Sequence, residues 1–348
     1  MATIGSLGDL HPYISLALEM KKRFIDPVIV TSETYRERIQ SLGIEFRPLR
    51  PEMAQPETPE HLEVYKKVVD ANHGAEYLFK EMLVPAVRDM HWDLSFAIKD
   101  ADLLITHPIV LAGPLVAQKT GIPWVSTELP ASLWSGFDPW VPPNTPWLHR
   151  VLKAGGPDVD LLRFLGRGPA PIVFTLGSAA VHIAGNFYRE SIKAAKLLKR
   201  RAVLLIGGER NRPTEPLPEG IIAVNYAPFG ELLPRAAAMV HQGGVGTTGQ
   251  GLRAGIPMIV VPFAYDQHDN GSRVERIGSA RTVARNSYKA ERVASELKEL
   301  LGNPSYARCA REIGNRVRSE SGSAFAVDLI LDQLNERRTE RFRLQTVA

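Results

Sequence analysis

The segment HQGGVGTTGQGLRAGIPMIVVPFAYDQHDN, residues 241–270, places a histidine before a glycine-rich loop and an acid–amide pair after it. The preceding AAMVH predicts a buried strand ending at His241, and TGQGLRA predicts the start of a helix. A glycine loop between a strand and a helix directs free backbone N–H groups and the positive helix end to one point, where a phosphate can bind. Thr247 and Thr248 could cap this helix or offer hydroxyls to phosphate oxygens. The pattern favours an anion site over a structural turn without a ligand.

The same loop also fits a dinucleotide-binding motif. GVGTTG, residues 244–249, matches G-x-G-x-x-G, and Asp266 follows it along the chain. In that motif the acidic residue should end the second strand, whereas PFAY separates Asp266 from the strand candidate MIVV. We therefore keep an NAD-type oxidoreductase only as an alternative.

Candidate proton acceptors follow two predicted strands in the first half of the chain. Asp9 lies in GSLGD, His11 is two residues further on, and His107 directly follows DLLIT. Any of the three could take the proton of an attacking hydroxyl group. Asp9 is our first candidate, His11 is its rival, and Asp9 paired with His107 is a third possibility. The alternative role for Asp9 is that of N-cap for a helix over PYISLALEM, with Pro12 near the helix start.

Composition restricts the class of protein. The 348 residues are 44% hydrophobic and 23% charged, with a formal net charge of +4, and this length suits two globular domains. The single cysteine, Cys309, excludes an intramolecular disulfide. No signal peptide, membrane-spanning run, dense basic cluster, G-K-[ST] or H-E-x-x-H motif is present, so we expect a cytoplasmic protein that binds no nucleic acid. Peripheral membrane contact through the basic tail NERRTERFRL stays open.

Short β-branched runs alternate with helical patterns along the chain, which is typical of parallel α/β architecture. The strand candidates are ATI, PVIVT, IEFRP, DLLIT and IPWVS in the first half, and PIVFTL, AVLLI, IIAV, AMVH and PMIVV in the second. We predict two Rossmann-like domains that face each other, at residues 1–155 and 168–335, with a tail at 336–348. The first domain looks incomplete, because the stretch between the two is short and rich in Pro and Gly.

NYAPFGELLPRAAAMVHQGGVGTTGQGLRAGIPMIVVPFAYDQHDN resembles the donor-binding signature of the UDP-glycosyltransferase superfamily. GSLGDLHPYISLALEMKKR resembles the start of the acceptor domain in its bacterial antibiotic, macrolide and sterol glycosyltransferases, and FTLGS the strand that opens the second domain. The resemblance implies a GT-B fold with two facing Rossmann-like domains. It also implies an inverting transfer from a UDP- or dTDP-sugar without an obligatory metal or other cofactor.

The resemblance also implies roles for particular residues. His241 would contact the diphosphate, together with the loop residues Gly243, Gly244, Gly246 and Thr247. The backbone at Gly177 and Ser178 would close on the diphosphate from the other side. Hydroxyls of the sugar would be held by Asp266 and Gln267, with Asn270 along the same wall. Tyr226 falls where many members stack a tryptophan on the base, and Gln250 where plant members use a glutamate on the ribose. Asp9 falls at the position of the family's base.

Tryptophans concentrate between residues 124 and 147, and Trp134, Phe137 and Trp140 could form a wall for a flat, apolar, hydroxylated acceptor such as a polyphenol, sterol or macrolide. An ordinary hydrophobic cluster under a long loop is the alternative.

Three other functions stay open: a nucleotide-sugar epimerase, an NAD-type oxidoreductase, and a nucleotide-sugar-binding protein without catalysis. The oligomeric state is not predicted.

Overall fold

The computed structural model describes residues 1–53, 58–70, 73–127 and 159–346, with side chains up to residue 335. The chain divides into two compact units. The first comprises residues 1–68, 72–129 and 321–348, and the second residues 69–71 and 130–320. The predicted second domain extended to residue 335. The structure corrects that end of the prediction, because the C-terminal helix belongs to the first unit.

The sheet of the first unit is parallel and is built around the chain start. Its strands are β1 (Val28–Thr31), β2 (Glu45–Pro48), β3 (Leu104–Thr106) and β4 (Trp124–Ser126). β1 pairs with β2, and β3 pairs with β4. Ala2 bridges Val30 of β1 and Thr106 of β3, both in parallel. The predicted strand ATI is thus a single pair of bridges in the sheet centre, while the other four strand candidates of this half are confirmed.

The helices of the first unit pack on both faces of this sheet. They are α1 (Leu7–Lys22), α2 (Arg36–Gln40), α3 (Pro59–Val68), α4 (Gly74–Tyr77), α5 (Val87–Ala97) and α6 (Ala112–Thr120), with a 3₁₀ turn at Glu33–Tyr35 and a π-helical segment at Leu78–Leu83. The C-terminal helix Gly322–Thr346 also belongs here. Its Val327 and Ile330 are buried with Tyr13 and Met20 of α1, and this apolar contact assigns the helix to the first unit.

The second unit contains one six-stranded parallel sheet. Its strands are β5 (Ile172–Thr175), β6 (Ala202–Leu205), β7 (Ile221–Val224), β8 (Ala238–His241), β9 (Met258–Val260) and β10 (Ala280–Thr282), in the order β10-β9-β8-β5-β6-β7. Counted from β5, this is the Rossmann order 3-2-1-4-5-6 read from the other edge. The strand order reverses between β5 and β8, where ligands of such sheets bind at the carboxyl ends. Only β10 was not among the strand candidates.

Helices cover both faces of the second sheet. They are α7 (Val159–Leu165), α8 (Phe187–Leu197), α9 (Phe229–Leu232), α10 (Val245–Ala254), α11 (Gln267–Arg276), α12 (Ala290–Gly302) and α13 (Pro304–Ser319). The C-terminal helix of the first unit, Gly322–Thr346, is α14. Short 3₁₀ turns lie at Ala180–Ile183, Glu209–Asn211, Leu233–Arg235 and Arg285–Ser287. Phe174 packs with α8 and α12 on one face, and Val173 packs with α10 and α13 on the other. Burial on both faces explains why β5, β6 and β8 are continuous apolar runs. The predicted parallel α/β class is confirmed.

Candidate active site

Two loops meet at the point where the strand order of the second sheet reverses. One follows β5 at Gly177 and the other follows β8 at Gly243, and both glycines have positive φ, at 63° and 90°. A Cβ at position 177 would lie 2.3 Å from Nε2 of Gln242, and one at 243 would lie 2.7 Å from Cγ1 of Val260. A side chain at either position would strain the backbone and crowd these neighbours, so both loops carry glycine at the carboxyl edge.

His241 ends β8 and is fully buried. The backbone N–H of Gly243 donates to its Nδ1 at 3.1 Å. Burial lowers the pKa of His241 to about 3, so the imidazole is neutral near pH 7. Because Nδ1 accepts, the proton lies on Nε2. That Nε2 is buried and has no hydrogen-bond partner among the residues that the structure describes. His241 therefore supplies a neutral N–H donor.

The helix α10 begins at Val245, after the short loop that follows this histidine, and no side chain caps its N-terminus. Gly244 is the N-cap, and the first turn contains no acidic residue. Gly246 in that turn is exposed, and a Cβ there would meet nothing within 4 Å. The positive end of the helix dipole is thus available to an anion.

The two threonines of α10 differ in what their hydroxyls do. The hydroxyl of Thr248 donates to the carbonyl of Gly244 at 3.0 Å, so the structure corrects the expectation that it could serve a phosphate. The hydroxyl of Thr247 accepts from Nε2 of Gln242 at 3.5 Å. Of the two, Thr247 is the one placed to donate to a ligand.

Asp266, Gln267 and Asn270 lie together at the start of α11. Asn270 donates from Nδ2 to Oδ2 of Asp266 at 2.7 Å and to the carbonyl of Gly243 at 2.9 Å. Oε1 of Gln267 accepts from the backbone N–H groups of Phe263 and Ala264, at 2.8 and 3.1 Å. The carbonyl end of Gln267 thus holds the loop before α11, which leaves its Nε2 end for any contact with a sugar.

The remaining donor candidates lie at the same edge of the sheet. Tyr226 follows β7 and is 56% exposed, as an aromatic that stacks on a base must be. Ser178 follows β5 and is exposed, and Gln250 lies half-buried on α10. The structure therefore gathers the predicted donor residues at the carboxyl edge of one sheet.

Asp9 belongs to the N-terminal turn of α1. Ser6 is the N-cap, and Asp9 at N3 completes a capping box by accepting from the Ser6 backbone N–H at 2.7 Å. The Ser6 hydroxyl also donates to Oδ2 of Asp9, at 3.0 Å. The helix thus starts earlier than predicted: Asp9 is not the N-cap, and Pro12 lies inside the helix. Burial raises the pKa of Asp9, and the hydrogen bonds from Ser6 oppose this rise.

The other two base candidates have different surroundings. His107 follows β3, is 8% exposed, and donates its backbone N–H to the carbonyl of Ala2 at 2.9 Å. His107 therefore lies at the carboxyl edge of the first unit's sheet. The chain start, which pairs with β3 at Ala2, runs toward the same edge before it reaches Asp9. His11 lies two positions after Asp9 on α1, and residues so spaced point away from each other on a helix. The acceptor candidates Trp134, Phe137 and Trp140 lie outside the described residues.

Sequence reasoning missed two residues of this arrangement, Gln242 and Ser6. Gln242 is 4% exposed and lies between the two glycine loops, although nothing in its polar character predicts burial. Ser6 could have been found, because Ser followed three residues later by an acid resembles a capping box.

Among the described residues, no helix is long and apolar enough to cross a lipid bilayer.

Protein-family models match both halves of the chain. The glycosyltransferase family 28 N-terminal domain matches residues 1–101. The erythromycin biosynthesis protein CIII-like C-terminal domain matches residues 192–329, which include the whole segment from Tyr226 to Asn270.

Curated relatives and solved structures agree with this match. O-mycaminosyltylonolide 6-deoxyallosyltransferase of Streptomyces fradiae is 24% identical over 430 residues, across 97% of this chain and 98% of the relative. That aligned length exceeds the 348 residues of this chain, so the relative contains internal segments that this chain lacks. Sterol 3-beta-glucosyltransferase of Komagataella phaffii is 26% identical over 424 residues, across 96% of this chain. The chain spans 34% of that longer relative.

The crystal structure of the glycosyltransferase VinC in complex with dTDP matches with a TM-score of 0.70 and 19% identity, across 97% of this chain and 100% of VinC. The fold is that of the GT-B glycosyltransferases. Within that class, the chain belongs to the UDP-glycosyltransferase superfamily.

Proposed function

We propose that this protein transfers a sugar from a UDP- or dTDP-sugar to a hydroxyl of a small lipophilic acceptor, with inversion at the anomeric carbon and without a metal. The observation that carries the proposal is the buried, unpartnered Nε2–H of His241 beside the N-terminus of α10, which no side chain caps. A buried donor without a partner is costly, by about 1–3 kcal/mol, and is rare in folded proteins. An anionic oxygen bound at this point would complete its hydrogen bonding.

The leaving group of such a transfer is a nucleoside diphosphate, whose negative charge grows as the bond to the sugar breaks. His241, the first N–H groups of α10 and the Thr247 hydroxyl would stabilise that charge with fixed dipoles. Because His241 is neutral, it would act as a hydrogen-bond donor and not as a counter-charge. We therefore propose that the diphosphate is held without a metal ion.

The sugar and the base would be held by the remaining residues at this edge. The carboxylate of Asp266 is half-buried and oriented by Asn270, which suits it to accept hydrogen bonds from sugar hydroxyls. The exposed ring of Tyr226 would stack on the nucleotide base. Gln250 would contact the ribose, and the backbone at Gly177 and Ser178 would complete the diphosphate site.

We assign the base to Asp9. As the acceptor oxygen forms its bond to the anomeric carbon, its proton would pass to the Asp9 carboxylate, and the carbon–oxygen bond to the diphosphate would break. Attack from the side opposite the leaving group inverts the configuration. The raised pKa of Asp9 strengthens it as a base, and Ser6 holds one carboxylate oxygen in place.

The acceptor class is inferred from the relatives. One is named for its action on O-mycaminosyltylonolide and another for its action on sterols. A macrolide or sterol-like alcohol is therefore the first acceptor to test.

Calorimetric titration with UDP, dTDP and NAD⁺, on the wild type and His241→Ala, tests the donor site. We expect UDP or dTDP to bind and His241→Ala to weaken that binding about tenfold or more. Binding of NAD⁺ alone would overturn the proposal in favour of an oxidoreductase. A second assay measures sugar transfer from a UDP- or dTDP-sugar to a macrolide aglycone or a sterol. We expect Asp9→Asn to lose this turnover while it still binds the diphosphate. A protein that only binds the nucleotide sugar would show no turnover in the wild type. Added EDTA should leave this turnover unchanged.

A further inference from the structure

The side-chain amide of Gln242 fills a notch, which we define as the space beside the Cα atoms of Gly177 and Gly244. Its side chain is 4% exposed and follows the last residue of β8. Its Nε2 would lie 2.3 Å from a Cβ at position 177 and 2.8 Å from one at position 244. Any side chain at either position would collide with this amide. The amide nitrogen therefore lies between the loops that follow β5 and β8.

The amide is incompletely satisfied where it lies. Nε2 donates to the hydroxyl of Thr247 at the long distance of 3.5 Å. Oε1 is buried without a hydrogen-bond partner among the described residues. A wholly apolar side chain of the same length would avoid the cost of burying this oxygen. The hydrogen bonds within the protein alone therefore give no reason for a glutamine at this position.

The contact with Thr247 decides where the threonine proton can go. A hydroxyl that accepts from an amide keeps its own proton for a second partner. The Thr248 hydroxyl offers a contrast one residue later, because its proton is used on the Gly244 carbonyl. Thr247 lies in the first turn of α10, where no side chain caps the helix. Its O–H can therefore be directed at an anion at this helix end.

We propose that Gln242 is a positioning residue of the diphosphate site. By donating to Thr247 it turns the threonine hydroxyl into a donor toward the diphosphate, and by filling the notch at Gly177 it fixes the spacing of the two loops that hold the ligand. This inference rests on the proposed function, since it assumes that the loop after His241 binds the diphosphate. Gln242 would thus favour the binding of nucleoside diphosphates over uncharged nucleosides, although it does not contact the reacting atoms.

The test compares the affinities of dTDP and UDP with those of thymidine and uridine. Gln242→Met keeps the length and removes the amide, so we expect diphosphate affinity to fall about tenfold while nucleoside affinity stays the same. Gln242→Glu should lower it further, because a carboxylate accepts the Thr247 proton and repels the diphosphate. Thr247→Val should resemble Gln242→Met. Thr248→Val is the matched control and should leave the ratio of the two affinities unchanged.

A double-mutant cycle separates positioning from a general effect on the fold. If Gln242 acts through Thr247, Gln242→Met should add no more than about twofold to the loss in Thr247→Val. Calorimetry for the diphosphates and ligand-observed NMR for the nucleosides give both affinities on the same folded sample. Equal losses for diphosphate and nucleoside, additive effects of the two substitutions, or no loss in Gln242→Met and Gln242→Glu would overturn the inference. If the wild type binds neither dTDP nor UDP, the proposed function itself has failed.

Discussion

Asn270 donates from its side-chain amide to the carbonyl of Gly243 at 2.9 Å, although the two residues belong to different elements at the edge of the sheet. The same nitrogen donates to Oδ2 of Asp266 at 2.7 Å. One side chain thus joins the loop proposed to hold the diphosphate to the carboxylate proposed to hold the sugar. We infer that Asn270 acts on the donor by fixing these two groups relative to each other.

Asn270→Asp should disrupt both contacts, because two acceptor oxygens would then face the Gly243 carbonyl and the Asp266 carboxylate. We expect the free energy of unfolding to fall by about 2 kcal/mol and the affinity for UDP-glucose or dTDP-glucose to fall at least about tenfold. Asn211→Asp is the control, since Asn211 also donates to two carbonyls, those of Val181 and Ile206. It should cost similar stability with little change in affinity. Equal losses of affinity in both variants would contradict a specific role for Asn270.

The resemblance implies the donor residues, and three of them lie at or just after the end of an apolar strand candidate. Carboxyl ends of parallel strands share one edge, so Gly177, Tyr226 and His241 are expected along the same edge of the sheet once the strands are recognised. What the sequence could not supply is the set of contacts that particular helices and side chains make in the fold. The helix Gly322–Thr346 is assigned to the first unit by its contact with α1. The side-chain oxygen of Gln267 accepts a hydrogen bond from the backbone N–H of Phe263, and the hydroxyl of Thr248 donates to the backbone carbonyl of Gly244.

The depressed pKa of His241 predicts a pH dependence of stability. In the unfolded chain the imidazole binds a proton below about pH 6.5, whereas in the folded protein its pKa is about 3. Between these values the unfolded state binds more protons, so stability is complete above pH 6.5 and falls as the pH drops toward 3. The loss should reach up to about 1.4 kcal/mol per pH unit. Urea unfolding of the wild type and His241→Gln at pH 7.5, 6 and 5 measures this effect. The difference between their free energies of unfolding should change with pH by this slope.

Comparison with His241→Gln is needed because other groups with shifted pKa values also make stability depend on pH. Burial and the nearby Arg210 lower the pKa of His182 to about 4, and burial raises that of Asp9. Both contributions are common to the two proteins and cancel in the difference. A difference in the free energy of unfolding that stays constant from pH 7.5 to pH 5 would show that His241 is not buried in its neutral form.

Ser6 should set the pH at which the proposed base becomes active. Its two hydrogen bonds to Oδ2 favour the charged carboxylate of Asp9 and so hold down a pKa that burial raises. Ser6→Ala removes the bond from the hydroxyl, and the pKa of Asp9 should rise. Because the base must be deprotonated, the acid limb of kcat/KM should move to higher pH. Ser6→Thr keeps a hydroxyl and should keep the limb in place.

The measurement is a pH profile of sugar transfer from UDP-glucose or dTDP-glucose to a macrolide aglycone. Ser6→Ala should also lose about 1 kcal/mol of stability through the lost N-cap, so the profile is taken well below its unfolding temperature. An acid limb at the same pH in Ser6→Ala and the wild type would mean that Asp9 does not control the rate. His107 would then be the next candidate.

Gly177 should tolerate substitution far less well than another glycine of the same unit with a similar backbone. Gly177 and Gly185 have φ of 63° and 54°, so alanine at either costs about 1 kcal/mol in backbone strain. At Gly185 the new Cβ meets nothing within 4 Å, whereas at Gly177 it would lie 2.3 Å from the Gln242 amide. Gly177→Ala should therefore lose more stability than Gly185→Ala and weaken dTDP binding. Adding Gln242→Ala to Gly177→Ala should recover the stability lost to the collision but not the affinity. Thermal unfolding and calorimetry on the three variants measure this, and equal melting temperatures for Gly177→Ala and Gly185→Ala would show that the notch between the loops is not rigid.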